Sequence, residues 1–378
     1  MVDVNPLSDD FRNNREAVFK QLRDNAPVLI TDQGVTVISR YADVRAAALD
    51  PKTFSSGGPL NNPARPVMNT MDPPEHGMYV ALMNSAFDRK YQDGLEDALR
   101  LLARTLVIDA AAGEQCDLMK DVVAPYLFGA TGIILGLSAE QIEELESIDR
   151  SVQRMGTGEP EEGPNALERC DALFSAVLAE RRENAGTDHV SALLAVGSDG
   201  GRALTEIEIL EYLFRFNNGN GITCAAAIGN GVELLARHPE ARAELAADPS
   251  LIPNAFEEMQ RREGPTHDSP RVTTREVTVA GVTLPAYTPV RLLWGAANLD
   301  ERQFTDPEKF DVHRDTSSHL ALSIGEHFCF AAYLSRLEAR IFFEELLKAM
   351  PNFSPAGPPV RVKSVWSWGF ESIPVSVP

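Results

Sequence analysis

The stretch LTEIEILEYLFRFNNGNGITCAAAIGNGVELLARHPE, residues 204–240, predicts one long helix. Thr205 and Glu208 have the spacing of a capping box, and Pro239 marks the end of the helical pattern. Such a helix has about 33 residues and is roughly 50 Å long at 1.5 Å per residue. Because it must cross the whole domain, we expect its middle to be central and buried.

The middle of this helix holds residues that helices tolerate poorly: Gly219, Gly221, Gly229, Gly231 and four Asn. Each interior Gly costs about 1 kcal/mol relative to Ala, and Asn competes for the backbone with its own side chain. Since Gly also lets another group approach the backbone closely, a ligand pressing against the helix would explain the defect. Close packing of a neighbouring helix explains the glycines equally well, and both explanations stay open.

The chain has 378 residues, 44% of them hydrophobic, and a formal net charge of −20 from 55 acidic and 35 basic residues. This length and hydrophobic content predict a globular protein with a large core. The negative charge argues against nucleic acid or an anionic membrane as the main partner. The four cysteines, at positions 116, 170, 224 and 329, are far apart and include no CxxC, so neither a disulfide framework nor a zinc site is indicated.

The sequence does not predict export or a membrane anchor. Residues 1–19 lack the basic and apolar regions of a signal peptide. The longest apolar stretch, Val122 to Leu137, contains Pro and Gly and falls short of the roughly 20 residues that a membrane helix needs. We therefore expect this stretch to be a core helix and the protein to be cytoplasmic.

Helical and strand patterns occupy different parts of the chain. Helical periodicity dominates residues 72–262 and 330–350, and β-rich segments cover residues 28–41, 275–296 and 360–377. The polar segment 156–164 predicts a loop rather than a domain linker, since the helical pattern resumes directly after it. We expect a mainly α fold with small attached β-sheets, in a single domain that covers residues 1–378.

Three further features could carry chemistry, and each also has a plain structural explanation. Cys329 directly precedes a strongly helical segment, where the free amides of a helix N-terminus stabilise a metal-binding thiolate, although a lone Cys more often packs as a small hydrophobe. Glu258 and Arg261 have the spacing of an ion pair on one helix face, but such pairs are common. His76 begins a helix after two prolines, and a lone histidine there is usually structural.

In order and spacing, five motifs resemble the pattern of a soluble bacterial cytochrome P450. They are DPPEH at 72–76, the long helix ending in ARHPE at 236–240, the ExxR pair Glu258/Arg261, ANLDERQFTDPEKFDVHRD at 297–315, and IGEHFC at 324–329 before the last helix. The resemblance covers nearly the whole chain. It implies the cytochrome P450 fold, in which the long central helix crosses over a haem.

The resemblance implies a b-type haem (iron protoporphyrin IX), with Cys329 as the axial thiolate ligand of the iron. Electron density from such a thiolate favours O–O cleavage. The other cofactor-binding positions that it implies are His76, Arg271, His327, Leu322 and Gly325. The two histidines and Arg271 would bind the haem propionates through charge-assisted hydrogen bonds.

The resemblance also implies a support behind the haem pocket, and some positions depart from the family pattern. Glu258 and Arg261 would tie their helix to the loop around Lys309. Lys309 holds a place more often filled by Arg or His, and its side chain would supply charge to the ion pair without the bidentate fork of Arg. The Arg expected four residues after His76 is Val80, so one propionate contact is missing from the pattern. Within the cysteine loop, the usual Phe-Gly is Leu322-Ser323.

The largest departure lies in the oxygen-binding stretch of the long helix. The family's small-Gly-x-acid-Thr-Thr pattern falls on residues 219–224, which makes Gly219, Asn220 and Thr223 the implied catalytic positions. Thr223 is retained, but the acid that helps relay protons to dioxygen is replaced by Ile222. Either protons arrive by another route, which we favour, or the enzyme uses peroxide or other chemistry. The other route is water held by Thr223 and the amides of Asn217, Asn218 or Asn220, or a polar substrate.

These features predict a monooxygenase that inserts one oxygen atom from dioxygen into a small hydrophobic organic substrate. Asn218 and Ile222 are expected to line the substrate pocket with residues 55–70 and 266–269. Electrons would come from a separate ferredoxin and ferredoxin reductase, with Arg336 and Arg340 as candidate docking residues unless they are ordinary surface arginines. The alternatives are a peroxygenase, a haem protein for rearrangement or ligand sensing, and, least favoured, a helical scaffold without metal.

Overall fold

The computed structural model describes residues 3–32, 34–57, 65, 67–157 and 165–378. The described helices are α1 Asp9–Asn25, α2 Tyr41–Ala48, α3 Glu75–Ala86, α4 Arg89–Asp93, α5 Glu96–Ala111, α6 Ala124–Leu135, α7 Ala139–Met155, α8 Ala166–Glu183, α9 His189–Ala195, α10 Glu206–Asn218, α11 Ala225–Arg237, α12 Pro239–Ala247, α13 Ile252–Glu263, α14 Trp294–Asn298 and α15 Ala332–Ala349. The described strands are β1 Val28–Ile30, β2 Thr36–Ile38, β3 Phe54–Ser55, β4 Gln115–Asp117, β5 Asp268–Thr273, β6 Val277–Val279, β7 Val282–Leu284, β8 Pro289–Leu293, β9 Ser354–Pro355, β10 Val360–Arg361, β11 Phe370–Ser372 and β12 Pro374–Ser376.

The strands form small sheets attached to the helices. The largest has the order β1-β2-β8-β5-β3, in which β2 and β8 are parallel and the other neighbours are antiparallel. The predicted hairpin is present, with Val28 opposite Ile38 and Ile30 opposite Thr36; Gln33 in its turn lies outside the described residues. The remaining sheets pair β6 with β7, β10 with β11, and β12 with β4 and β9. The prediction of a mainly helical fold with small sheets is confirmed.

The long helix runs from Glu206 to Arg237 as two α-helices, α10 and α11, joined by a π-helical segment, Gly219–Cys224. Its first turn is capped as predicted, since Thr205 Oγ1 accepts from the amide of Glu208 and the Glu208 carboxylate accepts from the amide of Thr205. Within the π segment a backbone hydrogen bond spans five residues instead of four, since the amide of Ala225 donates to the carbonyl of Asn220. The cluster of Gly and Asn is therefore a π-helical turn in a continuous helix.

The apolar stretch predicted as a core helix lies inside the protein. Residues Leu118–Leu135 pass a test of length and composition for a membrane span, but 67% of that stretch is buried within the fold. Tyr126, Leu127 and Ile134 are fully buried in the main core, together with apolar residues of α5, α7, α11 and α15. Burial on this scale is what the hydrophobic core of a water-exposed fold requires, so a core helix explains the composition.

Three elements differ from the sequence prediction. Helix α1 was not predicted, and it buries Phe11, Phe19 and Leu22 in a separate small cluster. The helical periodicity of the sequence is continuous from Tyr91 to Ala112 and predicts one helix there, but α4 ends at Asp93 and α5 starts at Glu96. Strand β5 begins at Asp268, before the β-rich segment predicted from residue 275.

Candidate active site

The loop that carries Cys329 is held in shape by backbone hydrogen bonds. The amide of Cys329 donates to the carbonyl of Leu322 at 2.9 Å, and the amide of Phe328 donates to that of Gly325 at 3.0 Å. Gly325 has a φ of 72°, and a Cβ there would lie 2.9 Å from Leu49 Cδ2, so this position requires glycine. Ser323 also has a positive φ, 61°, which explains why a glycine is the usual residue at that place.

Cys329 is half-buried and lies three residues before the first residue of α15. Burial raises the pKa of its thiol, whereas a hydrogen bond from the amide of Ala331 and the positive charge of Arg336 lower it. The predicted support from the helix N-terminus is therefore present, but the effect of burial on the pKa is larger. A bound metal ion deprotonates a coordinating thiol, so this environment suits a cysteine that ionises on binding a metal.

Two histidines and an arginine lie close together beside the cysteine loop. The rings of His76 and His327 are 4.3 Å apart, and His327 Nε2 bonds to Ser56 Oγ at 2.9 Å. Burial, followed by the charges of Arg271 and His76, lowers the pKa of His327 to about 4. Burial also lowers the pKa of His76. The structure thus brings together the three residues predicted to bind the haem propionates.

This cluster fits an anionic ligand. Arg271 is 6% exposed, and burial lowers its pKa to about 10. Among the described residues it has no carboxylate at ion-pair distance, and its guanidinium donates only to the carbonyl of Pro270. His76 Nδ1 is buried without a hydrogen-bond partner in the same part of the structure. Because an unpaired buried cation is costly, two carboxylates such as the haem propionates would complete this site.

The ExxR pair is fully buried. Arg261 donates to Glu258 through Nε at 2.6 Å and Nη2 at 2.9 Å, and both side chains are 0% exposed. Arg261 also donates to the backbone carbonyls of Asn298 and Pro307. The pair therefore links α13 to α14 and to the loop that leads toward the cysteine.

The predicted role of the Lys309 side chain is wrong. Its side chain is 66% exposed and pairs with Asp311, and only its backbone carbonyl accepts from Arg261, at 3.5 Å. Arg314 contacts the buried pair instead, donating through Nε to Glu258 Oε1 at 3.1 Å. The residue that supports the pair is therefore Arg314, five residues after the predicted Lys309. The loop turns back on itself, which residue spacing does not reveal.

The long helix has one open face at its centre. Gly219 and Thr223 are exposed, although nearly all other residues from Ile209 to Ala236 are buried or half-buried. They are four residues apart, so they form one stripe along the helix. Nothing lies within 4 Å of a Cβ built at Gly219. Cys224, which follows Thr223, lies near enough to Cys329 for their charges to interact. This stripe is where a ligand could approach the helix.

Asn220 does not lie on the open face, contrary to its predicted catalytic role. Its Nδ2 donates to Thr131 Oγ1 and Glu338 Oε1, both at 3.1 Å, and approaches the carbonyl of Leu127 at 3.4 Å. The side chain therefore points between α6 and α15. The reason is rotational: Asn220 follows Gly219 by one residue, which turns its side chain by roughly 80–100° around the helix axis.

The two predicted pocket residues on this helix are half-buried. Ile222 packs against the main core, and Asn218 has a buried Oδ1 atom without a hydrogen-bond partner. Thr266 and Ser269 are also half-buried, and Ser269 accepts from Trp294 Nε1. Of the predicted pocket loop 55–70, residues 58–64 and 66 lie outside the described residues. These pocket assignments stay predictions.

The remaining glycines of the helix answer the question left open by the sequence. A Cβ at Gly229 would overlap Met119, and one at Gly231 would lie 2.6 Å from Met259 Sδ and 2.7 Å from the Phe343 ring. These glycines serve close helix packing. Gly219 alone among those four faces open space, and there the explanation by an approaching ligand stays a prediction.

Several polar residues near the site were missed by sequence reasoning. Arg65 forms ion pairs with Asp171 of α8 at 2.8 Å and with Glu211 of α10 at 2.5 Å. Asp149 of α7 and Glu338 of α15 are buried acids that contact the long helix. Long-range contacts of this kind leave no local signal in a single sequence.

The predicted docking arginines are both engaged in ion pairs. Arg336 donates to Glu257 at 2.7 and 2.9 Å, and Arg340 donates to Glu96 at 2.8 Å. They are 42% and 30% exposed, so they remain accessible from the surface. Their role in docking an electron carrier stays a prediction.

Three features fit a haem protein with a cysteine ligand: a cysteine on a glycine-containing loop, a buried arginine beside two histidines, and a long helix with an open π-helical turn. The family model for cytochrome P450 matches residues 88–354. The chain belongs to the cytochrome P450 family. It is an oxidoreductase of the monooxygenase type, and its cofactor is haem b.

Two relatives and one solved structure match this chain over nearly its whole length. A steroid C26-monooxygenase of Mycobacterium tuberculosis is 32% identical, over 99% of this chain and 96% of that protein. A vitamin D(3) 25-hydroxylase of Pseudonocardia autotrophica is 31% identical, over 93% of this chain and 90% of that protein. The structure of cytochrome P450 CYP109Q5 from Chondromyces apiculatus superposes with a TM-score of 0.89 at 29% identity, covering 99% of this chain and 98% of that one.

Proposed function

We propose that this protein is a haem-thiolate monooxygenase that inserts one oxygen atom from dioxygen into a steroid-like or similarly hydrophobic substrate. Electrons come from a separate ferredoxin-type carrier and its reductase. The observation that carries the proposal is the buried cation Arg271, which lacks a carboxylate partner among the described residues and lies near His327 of the loop that carries Cys329. The substrate class is supported by relatives named for steroid and vitamin D(3) hydroxylation.

One set of residues binds the haem, and another leaves room for dioxygen and substrate. Haem held by a cysteine thiolate supplies the chemistry that cleaves dioxygen. Cys329 provides the thiolate, and Arg271, His76 and His327 hold the propionates. The exposed stripe of Gly219 and Thr223 leaves room for dioxygen and substrate, and the Thr223 hydroxyl orients water there.

Two half-buried residues beside the open stripe support a hydrophobic substrate. Ile222 and Asn218 flank the open stripe, one apolar and one with an unpartnered buried oxygen. A pocket of this composition binds a largely apolar molecule and orients it through few polar contacts.

The test compares two oxidants, dioxygen with an electron-transfer system and hydrogen peroxide. The holoprotein is screened for ligand-induced spin shifts with testosterone, vitamin D3 and a macrolide, and the best ligand is then incubated with NADH and a surrogate ferredoxin and reductase, or with hydrogen peroxide alone. We expect hydroxylated product with the electron-transfer system. Product with peroxide alone indicates a peroxygenase, and binding without product in either reaction indicates a sensing role.

A further inference from the structure

Tyr212 and His189 form a hydrogen-bonded pair in the core of the protein. Tyr212 lies on α10 and is 9% exposed, and His189 is the first residue of α9 and is 0% exposed. The Tyr212 hydroxyl oxygen lies 2.9 Å from His189 Nε2, and His189 Nδ1 lies 3.1 Å from the carbonyl oxygen of Ala86. Neither side chain belongs to the cationic cluster or to the open stripe of the long helix.

These hydrogen bonds fix which atom carries each proton. Burial lowers the pKa of His189 to about 4, so the ring is neutral at neutral pH and has a single N–H donor. The carbonyl of Ala86 can only accept, so the donor is Nδ1, and Nε2 is left as an acceptor. Tyr212 therefore donates its hydroxyl proton to His189 Nε2. Burial raises the pKa of Tyr212, so the phenol keeps this proton until an electron is removed.

The pair has the geometry for oxidation of the tyrosine. A phenol loses an electron readily only if its proton leaves at the same time, because the radical cation that would otherwise form is a very strong acid. A neutral imidazole at hydrogen-bond distance can accept that proton. The negative charge of Asp188 favours the imidazolium product, since it raises the pKa of His189. Tyr212 thus meets a base that can take its proton without any movement of the chain.

An aromatic contact connects the pair to the cysteine loop. Phe330 directly follows the proposed cysteine ligand, and its ring lies edge-on to that of Tyr212 with centroids 6.1 Å apart. Phe87 packs on the His189 ring at 4.4 Å, and Phe216 lies 6.0 Å from the Tyr212 ring. An electron can therefore pass between Tyr212 and the loop across one ring contact, and apolar rings surround the pair.

Two other tyrosines among the described residues donate to a basic side chain, Tyr79 to Glu208 and Tyr333 to Asp93. An arginine guanidinium lies over each of these rings, 5.3 Å from the centroid of Tyr79 and 5.0 Å from that of Tyr333. A cation over the face of a ring attracts its electrons, which makes the ring harder to oxidise. No described cation lies over the ring of Tyr212. Tyr212 is therefore the tyrosine in the described chain that combines a base with an unhindered loss of an electron.

We propose that Tyr212 and His189 form a redox site that takes one of the two oxidising equivalents a peroxide delivers to the haem when no substrate is present. The O–H bond of Tyr212 breaks, its proton passes to His189 Nε2, and one electron passes across the Phe330 contact to the oxidised cofactor. The products are a neutral tyrosyl radical and an imidazolium ion. One electron from a reductant such as ascorbate, with return of the same proton, restores both side chains.

The site would spare the cysteine and the haem from oxidation. Oxidation of a cysteine beyond the sulfenic acid is irreversible, whereas the change at Tyr212 is reversible. The inference rests on the haem cofactor of the family, and the proposed substrate and electron carrier play no part in it.

Tyr91 offers a matched control in the same aromatic cluster. Its ring lies 6.1 Å from that of His189, and it is half-buried. Its hydroxyl donates to the backbone carbonyl of Ile134 at 2.9 Å, and a carbonyl cannot take the proton away. Y91F therefore removes a nearby phenol without removing a phenol that has a base.

The first measurement tests the hydrogen bonds. Nitrogen NMR spectra of holoprotein labelled in its histidines are recorded in the ferrous carbon monoxide form, for wild type, Y212F and H189Q. We expect the His189 signals, identified by their loss in H189Q, to show a neutral ring with the proton on Nδ1, and the Nε2 signal to shift in Y212F. A proton on Nε2 of His189 overturns the proposal.

The second measurement detects the radical. Substrate-free holoprotein is mixed with peracetic acid, frozen and examined by EPR, with ordinary and with ring-deuterated tyrosine. We expect an organic-radical signal that narrows on deuteration, that Y212F loses and that Y91F retains. H189Q keeps the phenol and a hydrogen-bond acceptor but supplies no base, so it should lose most of the signal. A wild type without a tyrosyl signal, or a Y212F protein that retains it, overturns the proposal.

The third measurement tests the protective role through loss of the Soret band in peracetic acid without substrate. Y212F should bleach about twofold faster than wild type or more, because closing a competing route leaves the oxidising equivalent with the haem and its ligand, and Y91F should bleach like wild type. Equal bleaching of wild type and Y212F overturns this role. These reactions contain no NADH and no electron carrier, so they give the same answer if the proposed monooxygenase function fails.

Discussion

At the scale of single residues, Arg271 is a buried cation without a carboxylate partner among the described residues. It is buried, its pKa is lowered to about 10, and the nearby Asp72 is already bonded to Ser55 and Ser56. A buried cation with unpaired hydrogen-bond donors destabilises the apoprotein and stabilises a complex with an anion. Its replacement should therefore have opposite effects on the two forms.

We predict that R271Q loses haem to excess apomyoglobin about tenfold faster or more, since a charge-assisted hydrogen bond is worth about 1.5–3 kcal/mol. The free energy of unfolding of its apoprotein should be unchanged or higher. R275Q is the matched control, because Arg275 is 72% exposed and should release haem like wild type. Equal haem release from R271Q and wild type would contradict the assignment of the propionate site.

Single-residue predictions from the sequence succeeded where both partners of a contact lie in the same motif. The spacing of Glu258 and Arg261 was enough to predict their ion pair, which forms within one helix. The partner of that pair, Arg314 rather than Lys309, depends on how an irregular loop folds back. The direction of the Asn220 side chain depends on the local helix pitch, which residue types do not encode by themselves.

At the scale of elements, the π segment contains two glycines in contrasting environments. Gly219 has helical dihedrals, φ −62° and ψ −43°, and faces open space. A Cβ at Gly221 would overlap the Asp149 carboxylate and lie 2.9 Å from the Phe128 ring. Substitutions at these two positions therefore distinguish the effect of helix propensity on stability from the effect of side-chain packing.

We predict that G219A raises the free energy of unfolding by up to about 1 kcal/mol, because Ala is the better helix former. G221A should lower it by about 1–3 kcal/mol through overpacking against α6 and α7. Chemical denaturation of both variants measures the difference. Equal effects at the two positions would mean that the segment does not pack as described.

Elements with strong periodicity and clear caps were predicted well, and those fixed by distant contacts were not. The long helix, α15 and the β1-β2 hairpin carry local signals such as the Thr205 capping box. Helix α1 owes its place to packing of Phe19 against Leu293 and Ala296 near β8 and α14. Strand β5 contains Pro270 and is held by pairing with β8 on one side and β3 on the other.

At the scale of the whole molecule, three helices distant in sequence meet at one point. The π segment crosses between α6 and α15, and Asn220 bonds to both through Thr131 and Glu338. Helix α15 begins just after Cys329, so the same helix that carries the cysteine loop also carries the buried acid. The arrangement links the helix that follows Cys329 to the π segment of the long helix.

The family identity followed from motifs spread over the whole chain, whereas the contacts of the π segment did not. The sequence showed that the acid at Ile222 was missing. It could not show that Glu338, more than a hundred residues away, lies beside the same turn, since that contact exists only in the folded chain.

The most direct test of the central claim is the spectrum of the reduced holoprotein with carbon monoxide. We predict the strongly red-shifted Soret band that a cysteine thiolate ligand produces, and its loss in C329S with haem still bound. A wild-type spectrum without that band, or a C329S spectrum that retains it, would contradict the assignment of Cys329 as the haem ligand.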